Sequence, residues 1–154
     1  MKKIRIGENI ISKDSKTYFI ADIAANHDGK LSRAKKLIFL AAKSGADAAK
    51  FQNFFAKSFI SDFGFKKLGG KKSHQSKWKK SVYDVYKKAE LPIKWTVELK
   101  KTCKKTGIDY LTAPYDLGII KYLNKHVAAW KIGSGDITFH KNIISLAKTN
   151  KTII

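Results

Sequence analysis

Residues 17–29 read TYFIADIAANHDG. The first eight form a short, apolar, β-rich run, the pattern of a strand buried on both faces. The turn that follows decides the architecture. A doubly wound nucleotide-binding sheet needs its glycine fingerprint directly after strand one, so that the backbone can approach a pyrophosphate. The turn here is ANHDG (25–29), which lacks that fingerprint and places Asp22, Asn26 and His27 together at a strand end.

Working outward, short apolar strands alternate with segments of helical period. Ala34, Leu37, Ile38, Ala41 and Ala42 recur at helical spacing, with Ser32 placed to cap the helix and Gly45 to end it. ADAAKFQ (46–52) reads as a second strand. A long excursion over 53–94 holds a Gly69–Gly70 turn and a helix whose face carries Trp78, Val82, Val85, Tyr86 and Ala89. Pro92 then precedes a helix through WTVELKKTCKK that Gly107 stops. IDYLTAP (108–114) is strand three, Asp116 opens a short helix to about Lys125, and VAAWKIG (127–133) is strand four. A helix covers roughly 140–149, and KTII (151–154) starts strand five.

This alternation predicts an α/β fold with a parallel sheet. Polar residues stand at each strand's C-terminal end, where a (β/α)8 TIM barrel builds its site. Four strand–helix units and a strand are about half of such a barrel, whose usual length is ~250 residues. The expectation is one unit over 1–154: the first half of a TIM barrel, truncated in strand five, without its C-terminal half.

The chain carries 32 basic and 12 acidic residues, a formal charge of +20. All the basic residues but Arg5 and Arg33 are lysines, so the guanidinium fork that reads bases is nearly absent. The lysines fall on the expected outer faces of helices, and nucleic acid is not expected as a partner. No stretch approaches the ~20 apolar residues of a membrane span. Cys103 is the only cysteine, which excludes an internal disulfide and a cysteine metal cluster. No apolar segment follows the early lysines, so a cytoplasmic protein is expected.

Lys50, on an inward strand position, must be paired or face a ligand, because an unpaired buried ammonium is costly. The plain alternative is an ion pair with a carboxylate such as Asp22. Lys131 repeats the arrangement two strands later, and two inward lysines attract a multiply charged anion. GSGD (133–136) follows, where successive backbone N–H groups and the Ser134 hydroxyl can cradle an anion or merely turn the chain. Asp22, Asn26 and His27 could orient a polyhydroxy substrate, with Asp22 as proton carrier. His27 has no partner at metal-ligand spacing.

IADIAANHDGKLSRAKKLIFLAAKSGADAAKFQNF, IDYLTAPYD and AAWKIGSGDIT resemble the sialic acid synthase (N-acetylneuraminate synthase, NeuB-like) family, in order and spacing, from about Tyr18 to the end. The resemblance implies an N-terminal TIM barrel that condenses phosphoenolpyruvate with an N-acylated amino-sugar of the N-acetylmannosamine type. Phosphate is released and a nine-carbon sialic acid-type sugar forms. It implies that Lys50, Thr112, Lys131 and Ser134 hold phosphoenolpyruvate, that Asn26, His27 and Gln52 meet the sugar, and that Asp22 replaces the family's strand-one glutamate. Ala113 stands where many members place a threonine. The resemblance also implies a divalent metal (Mn²⁺ or Mg²⁺) with ligands in the missing half, a following antifreeze-like domain, and a homodimer at full length. The fragment alone is expected to be inactive. Two other readings stay open: another phosphate-binding barrel aldolase, with Lys131 as Schiff-base nucleophile, and a basic non-catalytic nucleic-acid or anion-binding module.

Overall fold

Runs of β-branched and small apolar residues bounded by turn formers give strands, and here three of them pair in parallel. The computed structural model describes residues 3–68 and 74–154; the expected Gly69–Gly70 turn lies outside them. An antiparallel hairpin, β1 (Ile4–Ile6) and β2 (Asn9–Ile11), precedes the parallel strands β3 (Ile20–Ala24), β4 (Ala48–Asn53) and β5 (Asp109–Pro114). The hairpin was not foreseen. Its strands are only three residues long, and its signal is Gly7, whose φ of +57° suits a tight hairpin turn.

The helices are α1 (Leu31–Lys43), α2 (Ala56–Phe59), α3 (Asp62–Leu68), α4 (Val82–Ala89), α5 (Thr96–Lys105), α6 (Ile120–Leu123) and α7 (His140–Ala147). Helix α1 buries Ala34, Ile38 and Ala41, the stripe its spacing predicts. Its N-cap is Lys30 and not Ser32, which lies inside the first turn; Gly45 follows its end at φ +83°. Asp116 accepts the Gly118 N–H and starts the short helical stretch, which ends at Leu123. None of the helices among the described residues is long and apolar enough to cross a membrane.

Strand order settles the choice between architectures. The sheet runs β3–β4–β5, and parallel bridges Thr112–Trp130 and Trp130–Ile153 continue it in chain order. A doubly wound sheet reverses its order at a switch point, whereas a barrel wall adds each strand beside the last. Strands four and five are shorter than expected. Only Trp130 and Ile153 form ladder bridges within VAAWKIG and KTII. The alternating side chains divide the sheet into two faces. One carries Ala49, Phe51, Tyr110 and Trp130 against the helices. The other carries Ala48, Leu111 and Ala129, closed at the lower end by Ile6 of the hairpin.

Candidate functional site

The second face is apolar at the N-terminal end and polar at the C-terminal end. Asp22 pairs with Lys50 in the β3–β4 register, Lys50 with Leu111, and Gln52 with Ala113. Neighbours in a parallel ladder point the same way, so these side chains share one face. Lys131 alternates with Trp130 and joins them.

Lys50 is 6% exposed, and among the described lysines it alone is buried. Its Nζ lies 2.7 Å from Asp22 Oδ1, so the plain ion pair does form. The pair is lopsided, however: the Lys50 side chain is 8% exposed and that of Asp22 64%. One of the three ammonium N–H groups is directed at Asp22, and the others have no partner among the described residues. Beyond Asp22 the register slips, so that Ala24 faces Phe51 with φ at +51°. A bulge of this kind at a strand end turns the following loop away from the sheet.

The GSGD segment follows the strand of Trp130, which lies two strands from Lys50 with β5 between them. Ser134–Asp136 forms a 3-10 turn closed by the Asp136 N–H to the Gly133 carbonyl at 2.9 Å. Among the described residues the N–H groups of Gly133, Ser134 and Gly135 find no backbone acceptor, and Ser134 is exposed. Tyr115 covers the turn: a Cβ on Gly133 would lie 2.9 Å from its hydroxyl and 2.7 Å from Asp136 Oδ2. Gln52 Nε2 donates to the same hydroxyl at 3.3 Å. Burial, then the nearby Asp136 charge, pushes the Tyr115 pKa up, and burial raises that of Asp136. Lys131 Nζ donates to the Ile132 carbonyl at 2.6 Å and is half-buried.

Not every expected residue reaches this face. Thr112 lies on the helix side with Phe51 and Trp130, and its hydroxyl donates to Asn53 Oδ1 at 2.7 Å in a buried bond. The alternation explains it: Ala113, one residue on, takes the inner position. His27 is fully buried, its Nδ1 accepts the Gly29 N–H at 3.1 Å, and its ring meets Trp95 edge-on at 5.6 Å. Burial lowers its pKa and favours the neutral imidazole. Asn26 is exposed, and its amide donates to the Ile23 carbonyl at 3.0 Å. The structure therefore brings together Asp22, Lys50, Gln52 and Lys131 on one face beside Ser134. Asn26 borders them, and His27 and Thr112 are tied into the scaffold.

A scan against known families matches the NeuB family over residues 37–154. The chain belongs to the NeuB family. N,N'-diacetyllegionaminic acid synthase of Campylobacter jejuni is 41% identical over 140 residues, which are 90% of this chain and 41% of that protein. An uncharacterized protein of Methanocaldococcus jannaschii is 37% identical over 155 residues, all of this chain and 41% of that one. The crystal structure of N-acetylneuraminic acid synthetase from Leptospira borgpetersenii, in complex with citrate, superposes with a TM-score of 0.79 at 24% identity. That superposition covers 99% of this chain and 48% of the other and speaks for the fold alone. The chain thus spans about two fifths of the curated relatives it matches.

For this NeuB-family chain, the sequence reading passed over Tyr115 and Asp136. Both sit inside motifs it quoted, and the available signal was the period of the strand. Two residues beyond inward Ala113, Tyr115 falls on the same side, where it reaches the GSGD turn.

Proposed function

We propose that this chain is the N-terminal part of a (β/α)8 barrel enzyme of the sialic acid synthase type. In this reading it takes part in condensing phosphoenolpyruvate with the aldehyde of an N-acylated amino-sugar, with release of phosphate. The observation that carries the reading is Lys50: a buried ammonium with unpartnered donors, on the face it shares with Lys131, in a NeuB-family chain.

Phosphoenolpyruvate carries its charges on a phosphate and a carboxylate. Lys50 and Lys131 supply point charges for them, and the free N–H groups of residues 133–135, with the Ser134 hydroxyl, supply directed donors. Donors fixed before the substrate arrives need no reorganisation when charge develops, which favours the transition state. Asp22, exposed beside Lys50, is the proton carrier, and Gln52 and Asn26 face the sugar. Thr112 and His27 act indirectly, by holding β5 against Asn53 and fixing the loop after β3.

The half-barrel reading is supported by the share of its relatives that the chain spans, about two fifths. Among the described residues β3 has only β4 as a strand partner, and Phe19, just before it, is 61% exposed. Among the described residues no group of three or more His, Cys, Asp or Glu could hold a metal ion, so these residues do not fit the divalent metal, whose ligands in this reading belong to the rest of the barrel. In this reading the full enzyme is a cytoplasmic homodimer.

Calorimetric titration with phosphoenolpyruvate tests the proposal. The wild-type chain binds saturably, and Lys50→Ala and Lys131→Ala each weaken binding by about tenfold or more. Equal affinity in all three would overturn it. With phosphoenolpyruvate and N-acetylmannosamine together, the isolated chain releases no phosphate; release would contradict the half-barrel reading.

A further inference from the structure

The opposite end of the sheet holds a second concentration of charge. An open cleft of about 730 Å³ lies between the β1–β2 hairpin, α5, the turn after α6 and the last residues of the chain. Arg5, Lys100, Lys104, His126 and Lys151 line it, facing Glu8 and Asp109. Asp109 is already occupied: it accepts the Tyr18 hydroxyl at 2.7 Å and the Asn9 amide at 3.1 Å. Among the described residues Arg5, Lys100, Lys104 and Lys151 have no acidic partner at ion-pair distance.

The walls are held in place. The Thr152 hydroxyl donates to the Arg5 carbonyl, and Lys100 Nζ donates to the Lys125 carbonyl at 3.0 Å. Burial, then the neighbouring Lys100 charge, lowers the Lys151 pKa, and burial, Lys100 and Lys125 do the same for His126. Like charges gathered in a partly buried cleft repel one another, and an anion placed among them relieves that repulsion.

We propose that this cleft binds a small, multiply charged phosphate compound of the pyrophosphate or phosphate-ester class, separately from the mouth that carries Lys50. The volume is within the range of small-molecule sites and exceeds what one phosphate fills. Lysine ammonium groups recognise phosphate as point charges. Strand β5 runs from Asp109 at the cleft to Pro114 at the mouth, and its length separates the two sites by about 17 Å. This placement does not depend on the reaction proposed above.

The test is a calorimetric titration with pyrophosphate at constant ionic strength. Four proteins are compared: wild type, Lys100→Ala/Lys151→Ala, a charge-matched control Lys36→Ala/Lys43→Ala on the exposed side of α1, and Lys50→Ala/Lys131→Ala. Saturable binding is expected in the wild type, weakened about tenfold or more in the cleft variant and less than about twofold in the other two. Equal weakening in the cleft variant and the α1 control would reduce the effect to net charge and overturn the site. Loss of binding in Lys50→Ala/Lys131→Ala, or no saturable binding at all, would overturn it as well. If the cleft double variant fails to fold, the exposed single reversal Lys104→Glu is judged by the same criterion. A parallel titration with inorganic phosphate is expected to be weaker than with pyrophosphate; equal affinity would reject the multiply charged class.

Discussion

The two faces of the β3–β4–β5 sheet are built from alternate residues of the same strands, yet they obey different rules. Toward the helices, Phe51, Trp130 and Leu99 are fully buried and Trp130 even satisfies its indole N–H, on Thr149 at 2.9 Å. Toward the interior, the residues are small at the bottom and charged at the top, with donors left unpaired around Lys50 and the GSGD turn. The helix-facing side is closed and specifies the fold. The interior side is open at its upper end and keeps its polar groups available. The difference teaches that one strand can be read twice, at alternate positions for packing and at those between them for chemistry.

The sharpest way to break this division is on the packed side. Trp130→Ala removes a fully buried indole and its hydrogen bond, and a stability loss of about 3–5 kcal/mol is expected in denaturant titration. Phosphoenolpyruvate affinity of the fraction that remains folded should change little. A loss below about 1 kcal/mol would mean that this face does not carry the fold.

Next in size is Thr112→Val, which leaves the Asn53 side chain buried without its donor. Removing one partner of a buried hydrogen bond costs about 1–3 kcal/mol. Ligand binding at the interior should survive, because Thr112 faces the other way. If Thr112→Val instead abolishes phosphoenolpyruvate binding without loss of stability, the assignment of faces is wrong.

Gly133→Ala probes the interior with a smaller change. The added methyl runs into Asp136 and the Tyr115 hydroxyl, so the turn must shift. Affinity for phosphoenolpyruvate should fall several-fold with little effect on thermal stability. An unchanged affinity would separate the turn from the site.

The smallest effect concerns pH. His27 has a lowered pKa in the folded chain because it is buried, so the unfolded chain binds more protons between the folded value and ~6.5. Stability should therefore fall as pH drops below about 6.5 and level off below the folded value. His27→Asn should flatten that slope in melting curves taken between pH 7 and 5; an unaltered slope would assign it to other groups, of which His126, also lowered by burial, is the first candidate.

Much of the fold was legible because periodicity is a local property. The stripe of α1, the glycine that ends it and the order of strand runs all emerge from neighbours in sequence. The hairpin escaped because its three-residue strands are too short to show a period, and its anchor is remote: Asn9 meets Asp109 across the chain. Strands four and five were read too long because an apolar run does not state how many of its residues find a ladder partner. In the site, Lys50 and Lys131 were legible from an unusual charge in an apolar run. Thr112 was assigned to the mouth from its motif, although the period-two rule, counted from Lys50 through the register to Leu111, places it on the other face. Tyr115 needed the same count.

The most direct test follows the backbone amides of Gly133, Ser134 and Gly135 by ¹⁵N NMR during titration with phosphoenolpyruvate. The account predicts saturable shifts at these amides and around Lys50, both suppressed in Lys50→Ala. Shifts confined to the cleft, or none at residues 133–135 at saturation, would contradict it.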